Sequence, residues 1–309
     1  MSRVLLVLYS ALMALVLVLT APWWLWQMGR TGKYREGMRE RLGQVPARLA
    51  RPASGCVWIH AVSVGEVLAA SRLIEELDRA LEAGLNTAPA ARPAVYLSTT
   101  TRTGQALARE RFGSNRVFYF PLDFAFSMRA WLGSLRPSVV VLVESEFWPR
   151  MLTECHEAAV PVAVVNARVS DRSWPRYQRL RMLWRPFLGS LALVLAQSEE
   201  DARRLRLLGA ARAVAGGNLK YDIRVAGASP FAGMLRAQVS DGARLVVCGS
   251  TLAGEEELLL RALPLRELVT VFAPRHPERF EEVARLLEGT GLRCLRRSTW
   301  STRSELPLA

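Results

Sequence analysis

Three acids, a lysine and an arginine stand where this chain's pattern would assemble a reactive centre. Glu66 closes the run Ser63-Val64-Gly65-Glu66, after a short apolar stretch from Val57 to Ala61 and ahead of a helix-period stretch from Val67 to Leu81. A carboxylate partly withdrawn from water there has its pKa lifted toward neutrality and can take a proton from a hydroxyl. The same position also suits an ordinary acidic residue favoured by a helix N-terminus. Glu144 and Glu146 follow the apolar run Val139–Val143 directly, in Glu144-Ser145-Glu146-Phe147-Trp148-Pro149. Two acids beside a buried strand are expensive unless paired or exposed, although Pro149 also permits a plain helix start. Lys220, in Gly216-Gly217-Asn218-Leu219-Lys220-Tyr221-Asp222, is either a cation for a phosphate or carboxylate or a solvated lysine. Pro274-Arg275-His276-Pro277 ends a later apolar run, and arginine there can grip phosphate bidentately. Gly249-Ser250-Thr251 offers amides and hydroxyls of the kind that hold anions at a helix start.

Other chemistries are disfavoured. Cys56, Cys155, Cys248 and Cys294 are far apart, and His60, His156 and His276 do not cluster. Neither zinc spacing nor a disulfide framework results, and a reduced, cytoplasmic body is expected. The paired glycines form no Walker loop and no GxGxxG. A formal net charge of +13 over 309 residues suits anionic partners: phosphorylated lipid, an acidic membrane surface or nucleic acid. No nucleic-acid-binding module or aromatic-basic platform supports the last.

These residues are positioned by apolar runs that alternate with helical patterns. Strands are expected at Val57–Ala61, Ala94–Leu97, Val117–Phe120, Val139–Val143, Pro161–Val165 and Leu191–Ala196, with a helix starting at Ser198 and Asp201 three residues on. That alternation predicts parallel βαβ units in a doubly wound sheet, where ligands gather at the carboxyl ends of strands. A Gly-, Ala- and Ser-rich stretch from Val225 to Gly233 reads as a domain boundary. The alternation then restarts with strands at Leu245–Cys248 and Leu268–Ala273 and helices at Glu255–Leu263 and Glu278–Leu287. Two βα units cannot cover both faces of a sheet, so the second domain reads as incomplete.

Ahead of all this, Val4 to Gly29 holds no charged residue, with an apolar core from Leu5 to Leu19 followed by Trp23, Trp24 and Trp26. Such a run is long enough for a bilayer, with an interfacial aromatic belt. A cleaved signal peptide ending at Ala21 competes with this reading, but Pro22 directly follows the cut. Arg30, Lys33, Arg35, Arg39 and Arg41 come next. By the positive-inside rule they predict a single-pass anchor with the body on the cytoplasmic side, held to anionic headgroups.

In these motifs the chain resembles the 3-deoxy-D-manno-octulosonic acid (Kdo) transferases of lipopolysaccharide assembly. The shared text runs in order through Lys33-Tyr34-Arg35 and Arg39-Glu40-Arg41-Leu42-Gly43, then His60-Ala61-Val62-Ser63-Val64-Gly65-Glu66-Val67, and Glu144 to Pro149. Asn166-Ala167-Arg168-Val169-Ser170, Ala196 to Asp201, Gly217 to Asp222 and Pro274 to Phe280 complete it. The resemblance implies a GT-B-type α/β fold: an anchor over 1–29, an acceptor-binding domain over 30–224, and a truncated, Rossmann-like CMP-sugar-binding domain over 225–309. It implies inverting transfer of Kdo from CMP-Kdo to a phosphorylated lipid A precursor at the bacterial inner membrane, with neither metal nor other cofactor. Glu66 would be the base, Glu144 and Lys220 would stabilise the transition state, and Pro274 and Arg275 would contact CMP. The family pattern continues into a GGHNP-LEP-type segment, and nothing after Leu295 matches it. Two alternatives accompany this expectation: a catalytically inactive, membrane-anchored remnant that binds lipid or a partner, and a related lipid glycosyltransferase using another nucleotide sugar.

Overall fold

The computed structural model describes residues 3–31, 35–49, 55–83, 94–222, 229–239 and 242–300. Lys33 and Tyr34 lie outside them, as does the stretch expected as a boundary up to Ala228, whereas its last residues, Pro230–Gly233, are helical. The chain forms two compact units, Met1–Ile223 and Arg224–Ala309.

The first unit is built on seven parallel strands in the order β3-β2-β1-β4-β5-β6-β7. They are β1 (Cys56–His60), β2 (Ala94–Thr99), β3 (Val117–Tyr119), β4 (Pro137–Val143), β5 (Val162–Ala167), β6 (Leu193–Ala196) and β7 (Ala213–Ala215). Side chains alternate between the faces of a strand, and β1 uses both. Val57 and Ile59 join the cluster beneath α3 (Val64–Ala83), with Val67, Ala70 and Ile74. Trp58 points the other way, into a cluster with Phe118 and with Met128, Trp131 and Leu135 of α5 (Ala125–Leu135). A strand buried on both faces reads as the near-continuous apolar run found here. Phe118 and Trp131 stack with centroids 4.0 Å apart. Both indoles at its centre are satisfied: Trp58 Nε1 donates to Ser98 Oγ at 2.8 Å, and Trp131 Nε1 to Glu40 O at 2.9 Å.

The remaining helices of this unit are α1 (Arg3–Thr31), α2 (Met38–Arg41), α4 (Arg102–Phe112), α6 (Pro149–Glu157), α7 (Trp174–Arg179), α8 (Arg181–Leu188) and α9 (Glu199–Leu208). The cap expected at Ser198 is present, its hydroxyl accepting from Asp201 N at 3.1 Å. Helix α1 is long and apolar enough to cross a membrane, with a mean hydropathy of 2.7 over an 18-residue stretch within Val4–Arg30.

The second unit holds α10 (Pro230–Gln238), β8 (Arg244–Thr251), α11 (Glu255–Ala262), β9 (Leu268–Pro274) and α12 (Phe280–Glu288), with β8 and β9 paired in parallel. Strand β8 is longer than its apolar pattern predicts. Gly249 and Thr251 continue the strand and pair with the end of β9, across a bulge at Ser250, instead of opening a helix. The anion nest expected there does not form at a helix start. Helix α11 begins at Glu255 after Gly254, and its first turn is Glu255, Glu256 and Glu257, a charge set that repels anions.

Candidate active site

Strand order reverses between β1 and β4, since the chain passes from β1 outward to β2 and β3 and then returns to the other side of β1. In open α/β sheets this switch point leaves a crevice beyond the strand ends, where ligands bind. Glu66 lies in the first turn of α3, directly after β1, and Glu144 and Glu146 follow β4. Neighbouring strands therefore deliver all three acids to one crevice.

Glu66 is only 8% exposed. Its Oε2 accepts from Val62 N at 2.7 Å and its Oε1 from Ser63 Oγ at 3.0 Å. Burial pushes its carboxyl up to about 7, the charges of Glu144 and Glu146 adding to this, while the Val62 amide and Ser63 hydroxyl oppose it. A carboxylate has roughly four acceptor positions, so two remain for a substrate proton. Glu146 is also raised, by burial first and then by Glu144, with the Trp148 indole pulling the other way.

Glu144 has a left-handed backbone, φ 65°, uncommon outside glycine and frequent at functional sites. Its amide donates to Val165 O at 2.9 Å, fixing the turn against β5. Lys220 lies on a 3-10 turn, Leu219–Asp222, and its Nζ stands 3.4 Å from Glu144 Oε1. Two residues 76 positions apart in the sequence thus meet at one spot.

The polar web that holds Lys220 there was not foreseen from residue types. Asn166, at the end of β5, is 1% exposed and also left-handed, φ 58°. Its Oδ1 accepts from Leu219 N at 3.1 Å, and its carbonyl accepts from Gln197 Nε2 at 3.2 Å. Asn218 Oδ1 in turn accepts from Lys220 N at 3.0 Å. The only local signal was an asparagine ending an apolar strand, since Asn tolerates the left-handed region better than most residues.

In the second unit Pro274 ends β9 and Arg275 follows it, exposed, with its amide donating to Thr251 O at 3.0 Å. The ends of β8 and β9 are fastened through Glu256, which accepts from Thr251 Oγ1 at 2.7 Å and from both terminal nitrogens of Arg279 at 3.0 Å. His276 faces Glu278 at 3.8 Å. Among the described residues no three His, Cys, Asp or Glu side chains gather as a metal site, and all four cysteines are free thiols.

Two solved structures share the fold. A putative UDP-N-acetylglucosamine 2-epimerase from Listeria monocytogenes matches with a TM-score of 0.51 and 12% identity, over 77% of this chain and 67% of that one. Another UDP-N-acetylglucosamine 2-epimerase matches at 0.50 and 11%, over 77% and 66%. This likeness shows a parallel-sheet α/β fold of the GT-B type. Among curated relatives, the 3-deoxy-D-manno-octulosonic acid transferase of Bordetella pertussis is 34% identical over 90% of this chain, and that of Haemophilus influenzae 30% identical over 90%. The chain spans 66% and 64% of their lengths, respectively. Residues 36–223, which hold the switch-point crevice with Glu66, Glu144 and Lys220, match the family pattern of 3-deoxy-D-manno-octulosonic-acid transferase (kdotransferase), and the chain belongs to that family.

Proposed function

We propose that this chain transfers Kdo from CMP-Kdo to a hydroxyl of a phosphorylated lipid A precursor, with inversion, at the cytoplasmic face of the inner membrane. The observation that carries this reading is the convergence of a carboxyl raised to about 7, Glu66, and a carboxylate–ammonium pair, Glu144 and Lys220, at the β1/β4 switch point. Glu66 removes the proton of the acceptor hydroxyl as its oxygen bonds to the anomeric carbon of Kdo. The bond from that carbon to the phosphate oxygen of CMP breaks, and CMP departs with the electron pair. Lys220 faces the negative charge that develops, and Glu144 holds its ammonium in place. Charge fixed in position before the reaction often supplies most of an enzyme's rate enhancement. Pro274 and Arg275 are assigned to CMP, the guanidinium meeting its phosphate. An anionic donor and a phosphorylated acceptor also suit the net charge of +13.

Transfer of labelled Kdo from CMP-Kdo to a lipid A precursor by the purified chain is the direct test. The expected result is turnover that Glu66→Ala lowers by about 10²–10⁴-fold, the usual contribution of a general base. Acceptor binding with no turnover, unchanged by Glu66→Ala, would instead favour a non-catalytic lipid-binding protein. Turnover only with a different nucleotide sugar would reassign the donor.

A further inference from the structure

The first turns of α1 are bound to the body of the first unit. Tyr9 Oη donates to Asp123 Oδ2 at 2.9 Å. Arg150 Nη2 donates to Ser10 Oγ at 3.0 Å and to Leu6 O at 3.3 Å. Asp123, 2% exposed, also accepts from the amides of Arg150 and Met151 at 2.9 and 2.8 Å, which anchors it to the start of α6. Arg150 is braced by Glu154 at 3.6 Å. Leu6, 5% exposed, belongs to the core cluster of the body. This is a built polar socket with an apolar plug.

Six residues past the other end of α1, at Gly37, the chain is back on the same strip of surface. Gly37 lies against the Tyr119 ring so closely that any Cβ would collide with it, and Arg41 O accepts from Leu122 N at 2.8 Å. Residues 119–123 thus receive the first turns of α1 and the chain that follows it. From Tyr9 to Thr31 a helix rises about 33 Å, while the stretch from Thr31 to Gly37 reaches about 22 Å at full extension. Thr31 therefore lies within about 22 Å of a residue seated on the body. A bilayer's hydrocarbon core is about 30 Å thick, more than that stretch can climb.

One face of α1 stays open: Leu8, Leu12, Leu15 and Leu19 are all more than half exposed, and no acid or base interrupts Val4–Gly29. Acyl chains are the occupant that an uncharged surface of this hydropathy selects. We infer that α1 is a one-leaflet element, immersed on a slant with both ends on the body's side of the membrane, and that the Tyr9–Asp123 and Ser10–Arg150 contacts keep its first turns from crossing. The single-pass arrangement expected from composition puts the first turns on the opposite side. This inference rests on the membrane attachment proposed above but not on transferase activity.

The full chain, with one epitope ahead of Met1 and another after Ala309, is reconstituted into vesicles of phosphatidylethanolamine and phosphatidylglycerol, floated, and treated with external protease. The expected result is that molecules losing the C-terminal epitope also lose the N-terminal one, with less than a tenth leaving a protected N-terminal fragment. A protected fragment from most such molecules overturns the one-leaflet arrangement while leaving attachment intact. Failure to float overturns attachment itself. Tyr9→Phe with Ser10→Ala removes the helix's half of the polar contacts without touching the body. It is expected to raise the protected fraction at least threefold, and no rise would show that these contacts do not hold the end.

Discussion

Burial of Glu66 beside Glu144 and Glu146 lifts its carboxyl to about 7, against an ordinary value of 4.5 in the unfolded chain. Between those values the folded protein holds the proton more firmly than the unfolded one. Its stability therefore declines as pH rises through that window and stays lower above it. The property that suits Glu66 to the proposed role of base near neutrality is thus a liability to the fold. Glu66→Gln keeps the shape and removes the charge. It is expected to stabilise the protein at pH 8 by about 1–3 kcal/mol, after allowance for one weakened hydrogen bond to Val62 N or Ser63 Oγ. The gain should vanish below about pH 4.5, and urea unfolding at both pH values measures it. In the transfer assay the wild-type rate should fall as pH drops through about 7, following loss of the ionised base. If Glu66→Gln proves less stable at pH 8, the carboxylate serves mainly as a turn partner for Val62 and Ser63.

Placement of Lys220 beside Glu144 depends on the end of β5 and the 3-10 turn over Leu219–Asp222, joined by Asn166. Asn166→Ala removes the acceptor for Leu219 N and puts a poorer residue at φ 58°. Leaving one amide unpartnered costs about 1–3 kcal/mol, enough to loosen the turn. The expected outcome is a fall in kcat of about tenfold or more, with faster amide exchange confined to residues 218–222. Asn166→Asp, which keeps the acceptor and tolerates the left-handed region, should restore both. Slower turnover with unchanged exchange would show that Asn166 acts elsewhere. This web also marks where the sequence stops being readable. Strands β1, β4 and β5 were legible because β-branched runs buried on both faces have few other uses. Their carboxyl ends pointed to Glu66 and Glu144. Strand order was not legible, because a crossover leaves no local trace, and so neither was the meeting of the two acids. Strand β7 went unseen because Ala213–Ala215 is short and two of its three residues are exposed. The socket at Asp123 was invisible, since nothing in a lone aspartate signals a tyrosine 114 positions away.

The two units differ in how much core they own. Seven strands and two large apolar clusters hold the first, Met1–Ile223. In the second, the described residues form a two-stranded sheet, and only Leu235, Cys248 and Val283 are buried apolar side chains. Val247 on β8 and Leu258 on α11 are more than 60% exposed. A two-stranded sheet is marginal without a packed face, so its cohesion leans on polar fastening. Glu256, 1% exposed and bound by both terminal nitrogens of Arg279, is the centre of that fastening. Removing one partner of such a pair leaves the other charge without its counter-ion. Arg279→Met is therefore expected to unfold residues 229–300 selectively. Limited proteolysis should then cut first within 224–300 and leave a fragment ending near Ile223, with wild-type amide protection over β1, β4 and β5. The same cuts should occur in the wild-type protein, but more slowly. Loss of protection in both units together would mean that the core of the first depends on the second, and equal resistance of wild type and variant would show that other contacts hold β8 and β9.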